Sequence, residues 1–268
     1  MQDYLRALNL AQRQAVTHAG PEPLLVIAGA GSGKTNTLAH RVAHLILGGT
    51  PADRILLLTF TRRAAAEMTR RAERIVAQAA RESKRALPAR LRWSGTFNAI
   101  ANRLLRLFCD AVSLDPSFTV LDRSDAADLM NLLRAEKELA KLGRRFPKKA
   151  TCLSIYSRVI NAREDIEQTL ERYFPWCQEW ADELRGLFRA YVEAKTRRGV
   201  LDYDDLLLYW YYLMQEPALA EQVGEYFDAV LVDEYQDTNS LQSEILRSLR
   251  PSGSGVTVVG DDAQAIYG

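Results

Sequence analysis

Ala28-Gly29-Ala30-Gly31-Ser32-Gly33-Lys34-Thr35 is the stretch that decides the fold. Glycines let a backbone wrap an anion with its N–H groups turned inward, and a helix start beyond them adds partial positive charge. A lysine at the position of Lys34 reaches β- and γ-phosphates, and the Thr35 hydroxyl can ligate Mg²⁺. Such a loop needs a strand before it and a helix after it. Both are present. Pro23-Leu24-Leu25-Val26-Ile27-Ala28 is a short apolar run that reads as a buried strand. After Thr35, Leu38, Val42, Leu45 and Ile46 fall on one helical face, and Gly48-Gly49 closes the helix. The first position of the general loop pattern is Ala28 rather than glycine.

Further strands are expected at 54–60, 92–96, 229–232 and 256–259, with helices between them. That alternation predicts an α/β P-loop fold, a mostly parallel sheet with helices on both faces. Val230-Leu231-Val232-Asp233-Glu234 is an apolar strand running into two acids, at the strand end where ligands bind in open α/β sheets. Asp233 is placed to hold Mg²⁺ opposite Thr35, and Glu234 to orient and deprotonate an attacking water. Val258-Val259-Gly260-Asp261-Asp262-Ala263-Gln264 repeats the pattern. The neutral amide of Gln264 suits sensing a γ-phosphate or placing a water.

Between about Leu114 and Thr196 strand-like runs give way to helical periodicity, broken at Pro116, Pro147 and Pro175. The chain of 268 residues, 47% hydrophobic and 26% charged, is therefore read as an α/β domain interrupted by an all-helical insertion. The expected segments are 1–110, 111–196 for the insertion, and 197–268. No apolar run reaches the roughly 18 residues of a membrane span, and Met1-Gln2-Asp3-Tyr4 has no secretory leader pattern. Cys109, Cys152 and Cys177 lack metal-ligand spacing and read as reduced thiols of a cytoplasmic protein. The net charge of +1 hides segregation: ten Lys/Arg against three acids from Arg62 to Arg92, and eleven acids without a Lys or Arg from Leu201 to Glu244. The basic run attracts a polyanion or is a solvated helix face.

From Leu8 to its end the chain resembles superfamily 1 helicases of the UvrD/Rep/PcrA type. Leu8-Asn9-Leu10-Ala11-Gln12 with Ala15-Val16 is similar to the adenine-contacting motif, Gln12 reading the base. Ala28 to Thr35 is similar to motif I, and Leu58-Thr59-Phe60-Thr61-Arg62-Arg63-Ala64-Ala65-Ala66-Glu67-Met68 to motif Ia. Gly95-Thr96-Phe97-Asn98 resembles the next strand-binding motif, and Leu201-Asp202-Tyr203-Asp204-Asp205-Leu206-Leu207 the acidic segment that returns to the first motor domain. Val232 to Asn239 is similar to motif II, and Gly260 to Gly268 to a shortened motif III. Arg62, Asn98 and Asn36 depart from the residues the family often carries there.

The resemblance implies a RecA-like first motor domain (1A) with an inserted subdomain (1B), ATP and Mg²⁺ as cofactors, and 3′-to-5′ movement along single-stranded DNA in repair or replication. Single-stranded DNA and duplex junctions are the implied partners. Strands are held by charge neutralisation and aromatic stacking. Phe60, Phe97 and Tyr267, with Thr59, Thr61, Arg62, Thr96 and Asn98, are the candidate contacts. Arg144-Arg145 and Lys148-Lys149 could meet duplex. Relatives complete the ATP site with arginines from a second motor domain, which lies outside these 268 residues. The expectation is a piece that binds nucleotide, hydrolyses it poorly and does not unwind. Two other readings stay open: a translocase that never separates strands, and a P-loop kinase or switch acting on small molecules. Against a GTPase, no Asn-Lys-x-Asp stretch is present.

Overall fold

The computed structural model describes residues 3–83, 90–139, 145–261 and 263. By contacts the chain forms two compact units, one of 1–100, 214–238 and 245–268, the other of 101–213 and 239–244.

The first unit carries α1 (Leu10–Thr17), β1 (Leu24–Ile27), α2 (Lys34–Leu47), β2 (Ile55–Thr59), α3 (Arg62–Ser83), β3 (Trp93–Thr96) and the start of α4 (Phe97–Leu107). Later in the chain, α10 (Pro217–Glu225), β6 (Ala229–Val232), the end of α11 (Ser240–Leu249) and β7 (Val256–Gly260) complete it. Its five strands are all parallel, in the order β1-β7-β6-β2-β3. The register runs Ile27↔Gly260, Val232↔Val258, Leu58↔Val232 and Thr59↔Thr96. β2 and β6 are buried at every residue, so both faces of the sheet are covered there, as continuous apolar runs in parallel sheets require. Leu38, Val42 and Ile46 of α2 and Met68, Ala72 and Val76 of α3 form the core with Ile55, Leu57, Leu231 and Val259. Because all strands point one way, their five C-terminal ends share one edge.

The second unit carries β4 (Thr119–Val120), α5 (Arg123–Glu136), α6 (Lys149–Ala162), α7 (Ile166–Tyr173), α8 (Ala181–Arg198), β5 (Val200–Leu201) and α9 (Tyr203–Leu213). Its helices close over Met130, Ile155, Leu170, Leu184, Leu187 and Tyr191. A two-residue parallel pair, Thr119↔Val200 and Val120↔Leu201, accompanies the helices; runs this short leave no periodicity in the sequence. The three cysteines are free and buried. No helix of the described residues is long and apolar enough to cross a membrane.

Candidate nucleotide site and strand edge

β1 delivers the glycine loop. Ala28 donates its N–H to Gly260 O at 3.0 Å, which fixes the start of the loop against β7. Ser32 turns the chain back on itself, its N–H and Oγ both donating to Gly29 O at 3.3 and 2.7 Å. Gly31 and Gly33 have φ of 77° and 88°, the left-handed region that disfavours a side chain. A Cβ added at Gly29 or Gly31 would meet nothing within 4 Å, so the loop faces open space on that side. At Gly33 the same atom would strike Gln12 Nε2 at 2.8 Å.

Gln12 is held there by two bonds. Its Oε1 accepts from Asn9 N–H at 3.1 Å in the capping box that starts α1, and its Nε2 donates to Ser32 O at 2.9 Å. The adenine-reading candidate and the phosphate-loop candidate are therefore one connected piece.

Lys34 opens α2 and is the first residue beyond the loop. Its ammonium lies 3.3 Å from Asp261 Oδ2 and 3.5 Å from Glu234 Oε2, and its side chain is 9% exposed. Asp261 follows β7 and Glu234 follows β6, so the ends of three neighbouring strands meet at one cation. Asp233 is 3% exposed, and among the described residues its buried Oδ1 has no hydrogen-bond partner. Burial, and then the neighbouring Glu234 carboxylate, push Asp233 up to about 6, with the Lys34 charge partly offsetting them. Glu234 adopts φ 49° and ψ 47°, and accepts from Gln236 Nε2 at 2.8 Å. Gln236 Oε1 in turn accepts from Asp261 N–H at 3.0 Å, tying the two acidic turns together. Thr35 is half-buried in the first turn of α2.

Gln236 and Asp261 were not among the site residues expected from sequence. Asp261 carried a usable signal, since it ends an apolar strand as Asp233 does. Gln236 did not, because its role arises from β6 and β7 being neighbours. Gln264 and Tyr267 lie outside the described residues.

Towards the other side of the sheet edge stand the ends of β2 and β3. Thr59 is buried and its hydroxyl donates to Thr61 O at 3.0 Å. Phe60 is 37% exposed. Thr61 Oγ1 accepts from Ala64 N–H at 3.1 Å and caps α3, whose first residue is the exposed Arg62. Thr96 Oγ1 accepts from Ala99 N–H at 3.3 Å at the start of α4. Phe97 is only 3% exposed, whereas Asn98 is half-buried with a buried Oδ1 that has no partner among the described residues. The edge thus brings Phe60, Thr61 and Arg62 to the surface together and keeps Thr59 and Phe97 inside.

A model of the UvrD/REP helicase N-terminal domain matches residues 8–268. The chain belongs to that family. DNA helicase II of Haemophilus influenzae is 35% identical over 99% of this chain and 35% of its own length. The ATP-dependent DNA helicase PcrA of Leuconostoc citreum is 35% identical over 97% of the chain and 33% of its own length. DNA helicase II of Escherichia coli is 35% identical over 98% of the chain and 35% of its own length. The chain spans about a third of the length of these curated relatives.

The residues present suit the group the UvrD/REP family implies. Among the described residues no three His, Cys, Asp or Glu cluster as a self-sufficient metal site. One orphaned carboxylate oxygen beside an open anion loop fits a magnesium that takes most of its ligands from phosphates and water.

Proposed function

We propose that this chain is the nucleotide-binding motor domain 1A, with its 1B insertion, of an ATP-dependent DNA helicase or translocase that moves 3′ to 5′ on single-stranded DNA. The observation that carries the reading is the convergence of Glu234 and Asp261 on Lys34 beside the unpartnered Asp233 oxygen. The first compact unit is read as 1A and the second as 1B. The names of the relatives, ATP-dependent DNA helicases among them, support the class of reaction. The reading places the protein in the cytoplasm, in DNA repair or replication.

In this reading the loop N–H groups from Gly29 to Thr35 cradle the phosphates, and Lys34 leaves its carboxylate partners to meet the β- and γ-oxygens. Thr35 and Asp233 would hold Mg²⁺, and Gln12 would read the adenine edge. Bound magnesium–ATP supplies the transferable phosphoryl group and the charge that polarises it. Glu234 Oε2 then takes the proton of the attacking water, with Gln236 fixing the direction of its carboxylate. Phe60, Thr61 and Arg62, with Thr96 and Asn98, would grip the strand, while Thr59 and Phe97 set the backbone that presents them. Arg145 and Lys148 are exposed in the second unit and are the residues offered to a duplex junction; Lys149 is paired with Asp128, and Arg144 lies outside the described residues. An added arginine in such chemistry raises rates by about 10³–10⁵. We therefore expect residues 1–268 alone to bind nucleotide and turn it over slowly.

The test is binding of a fluorescent ATP analogue with Mg²⁺ by wild type and Lys34→Ala, with and without single-stranded DNA. Losing a charge-assisted contact should weaken binding roughly ten- to hundredfold. Equal binding by the two proteins, or GTP competing as well as ATP, contradicts the reading.

A further inference from the structure

The function just proposed uses only the first turn of α3, yet the basic residues run its whole length. At about 100° per residue, Arg63, Arg70, Arg74 and Arg81 fall within about 20° of one line. Met68, Ala72 and Val76, which enter the core, lie on the opposite side. All four arginines are exposed, Arg70 to 65%. Among the described residues Arg63, Arg74 and Arg81 form no ion pair, and Arg70 and Arg71 share the single acid Glu67. The hydrogen bond from Arg71 and the charges of Arg70, Arg71 and Arg74 hold the Glu67 carboxyl below its usual range, a sign of surplus positive charge along this face. Arg70 and Arg74 sit at i,i+4, a like-charge spacing that costs a helix stability. Such a stripe is relieved by a ligand with regularly spaced negative charge.

We propose that the solvent face of α3 is a phosphate track. Arg63, Arg70, Arg74 and Arg81 hold the backbone of a single strand that continues from the Phe60–Thr61 end of the sheet. From Arg63 to Arg81 the stripe rises by 18 steps, about 27 Å at 1.5 Å per residue, the length of about eight phosphates in a stacked strand. Its upper end adjoins Arg62 and the cap at Thr61, so it is continuous with the strand edge. The inference rests on the proposed strand edge for its ligand and differs from it in predicting contacts that carry no sequence or base preference.

The experiment measures binding of the 268-residue chain to a strand of about 4 nucleotides, too short to reach from the sheet edge along the stripe, a strand of about 24, and a blunt duplex of similar length, across a salt series. Arg70, Arg74 and Arg81 are changed together to Gln, which keeps helix propensity, and separately to Lys. For the long strand the Gln variant should show a log–log salt slope shallower by about two, at roughly 0.7 per lost phosphate contact, and the Lys variant should restore it. The short strand and the ATP analogue should bind the Gln variant as they bind wild type. An unchanged slope on the long strand overturns the track, and so does a loss confined to the duplex. Phe60→Ala separates the two readings. If it weakens the short strand while the Gln variant changes nothing, the track alone fails. If it has no effect and the Gln variant flattens the slope, the strand edge fails and the track stands. No binding of any strand by wild type at low salt removes both.

Discussion

At Glu234 the backbone sits in the left-handed region, where an L-residue loses about 1–2 kcal/mol. Strain at a site residue persists only when its surroundings over-determine it. Here Gln236 and Lys34 hold the carboxylate from two sides. The strain can be isolated from the side chain by comparing Glu234→Gly with Glu234→Ala, which both delete the carboxylate. In urea unfolding the glycine variant should be the more stable by roughly 1 kcal/mol. Equal midpoints would mean that the turn carries no strain. The glycine loop between β1 and α2 was legible in the sequence because its signals are local: glycines at fixed offsets, then lysine and threonine. Left-handed Glu234 was not legible, since nothing in Val232-Asp233-Glu234-Tyr235 distinguishes a strained turn from an ordinary strand end. The same holds for Gln236, whose partners come from two strands.

The junction of α8 and α9 shows what helical periodicity leaves out. Lys195 is buried, with its ammonium 2.7 Å from Asp202 Oδ2, 2.5 Å from Asp205 Oδ2 and 3.3 Å from the Tyr156 hydroxyl. Asp202 and Asp205 accept each other's N–H at 2.9 Å, and Tyr191 donates its hydroxyl to Asp202. Burial, and then Asp202, push Asp205 above the usual carboxylate range, and they do the same to Asp204. A carboxylate whose folded pKa is raised stabilises the fold fully below its unfolded value, and that contribution is lost as pH rises through the folded one. Lys195→Met removes the compensating cation and raises both carboxylates further. It should destabilise by about 3–5 kcal/mol at pH 8, and by progressively less as pH falls towards 5. A loss of stability independent of pH would show that the lysine is worth only its packing. In the sequence Asp202-Tyr203-Asp204-Asp205 was legible as an acidic segment, but its burial against a lysine on another helix was not. Tyr209-Trp210-Tyr211-Tyr212 is a similar case: the helix sends Trp210 fully inside and leaves Tyr212 53% exposed, a division that needs the neighbouring helices to be known.

At the scale of the molecule, each compact unit has its own apolar core with a buried tryptophan edge-on to a phenylalanine. Trp93 meets Phe227 edge-on at 5.3 Å in the first, and Trp180 meets Phe146 at 5.4 Å in the second. Nucleotide held by the loop in the first unit should stabilise the core reported by Trp93 by about 2.7 kcal/mol at a hundredfold excess over Kd. The core reported by Trp180 should gain less. Single-tryptophan variants unfolded in urea with and without ATP and Mg²⁺ measure both, and identical shifts would contradict the expectation. From the sequence a discontinuous α/β domain is expected, with changes of texture near 110 and 197. Contacts divide the chain after 100, 213, 238 and 244, two of these points inside α4 and α11, where no shift of composition marks them. The strand order was beyond the sequence, and it has a mechanical result. Because β6 lies beside β2, Asp233 donates its N–H to Leu58 O at 3.0 Å, one residue before Thr59 and two before Phe60. On the proposed reading, the carboxylate offered to the metal and the ring offered to a base are joined through a single amide. If that reading holds, a shift of either by a fraction of an ångström would be passed to the other along one ladder bond, with no long relay between fuel and grip.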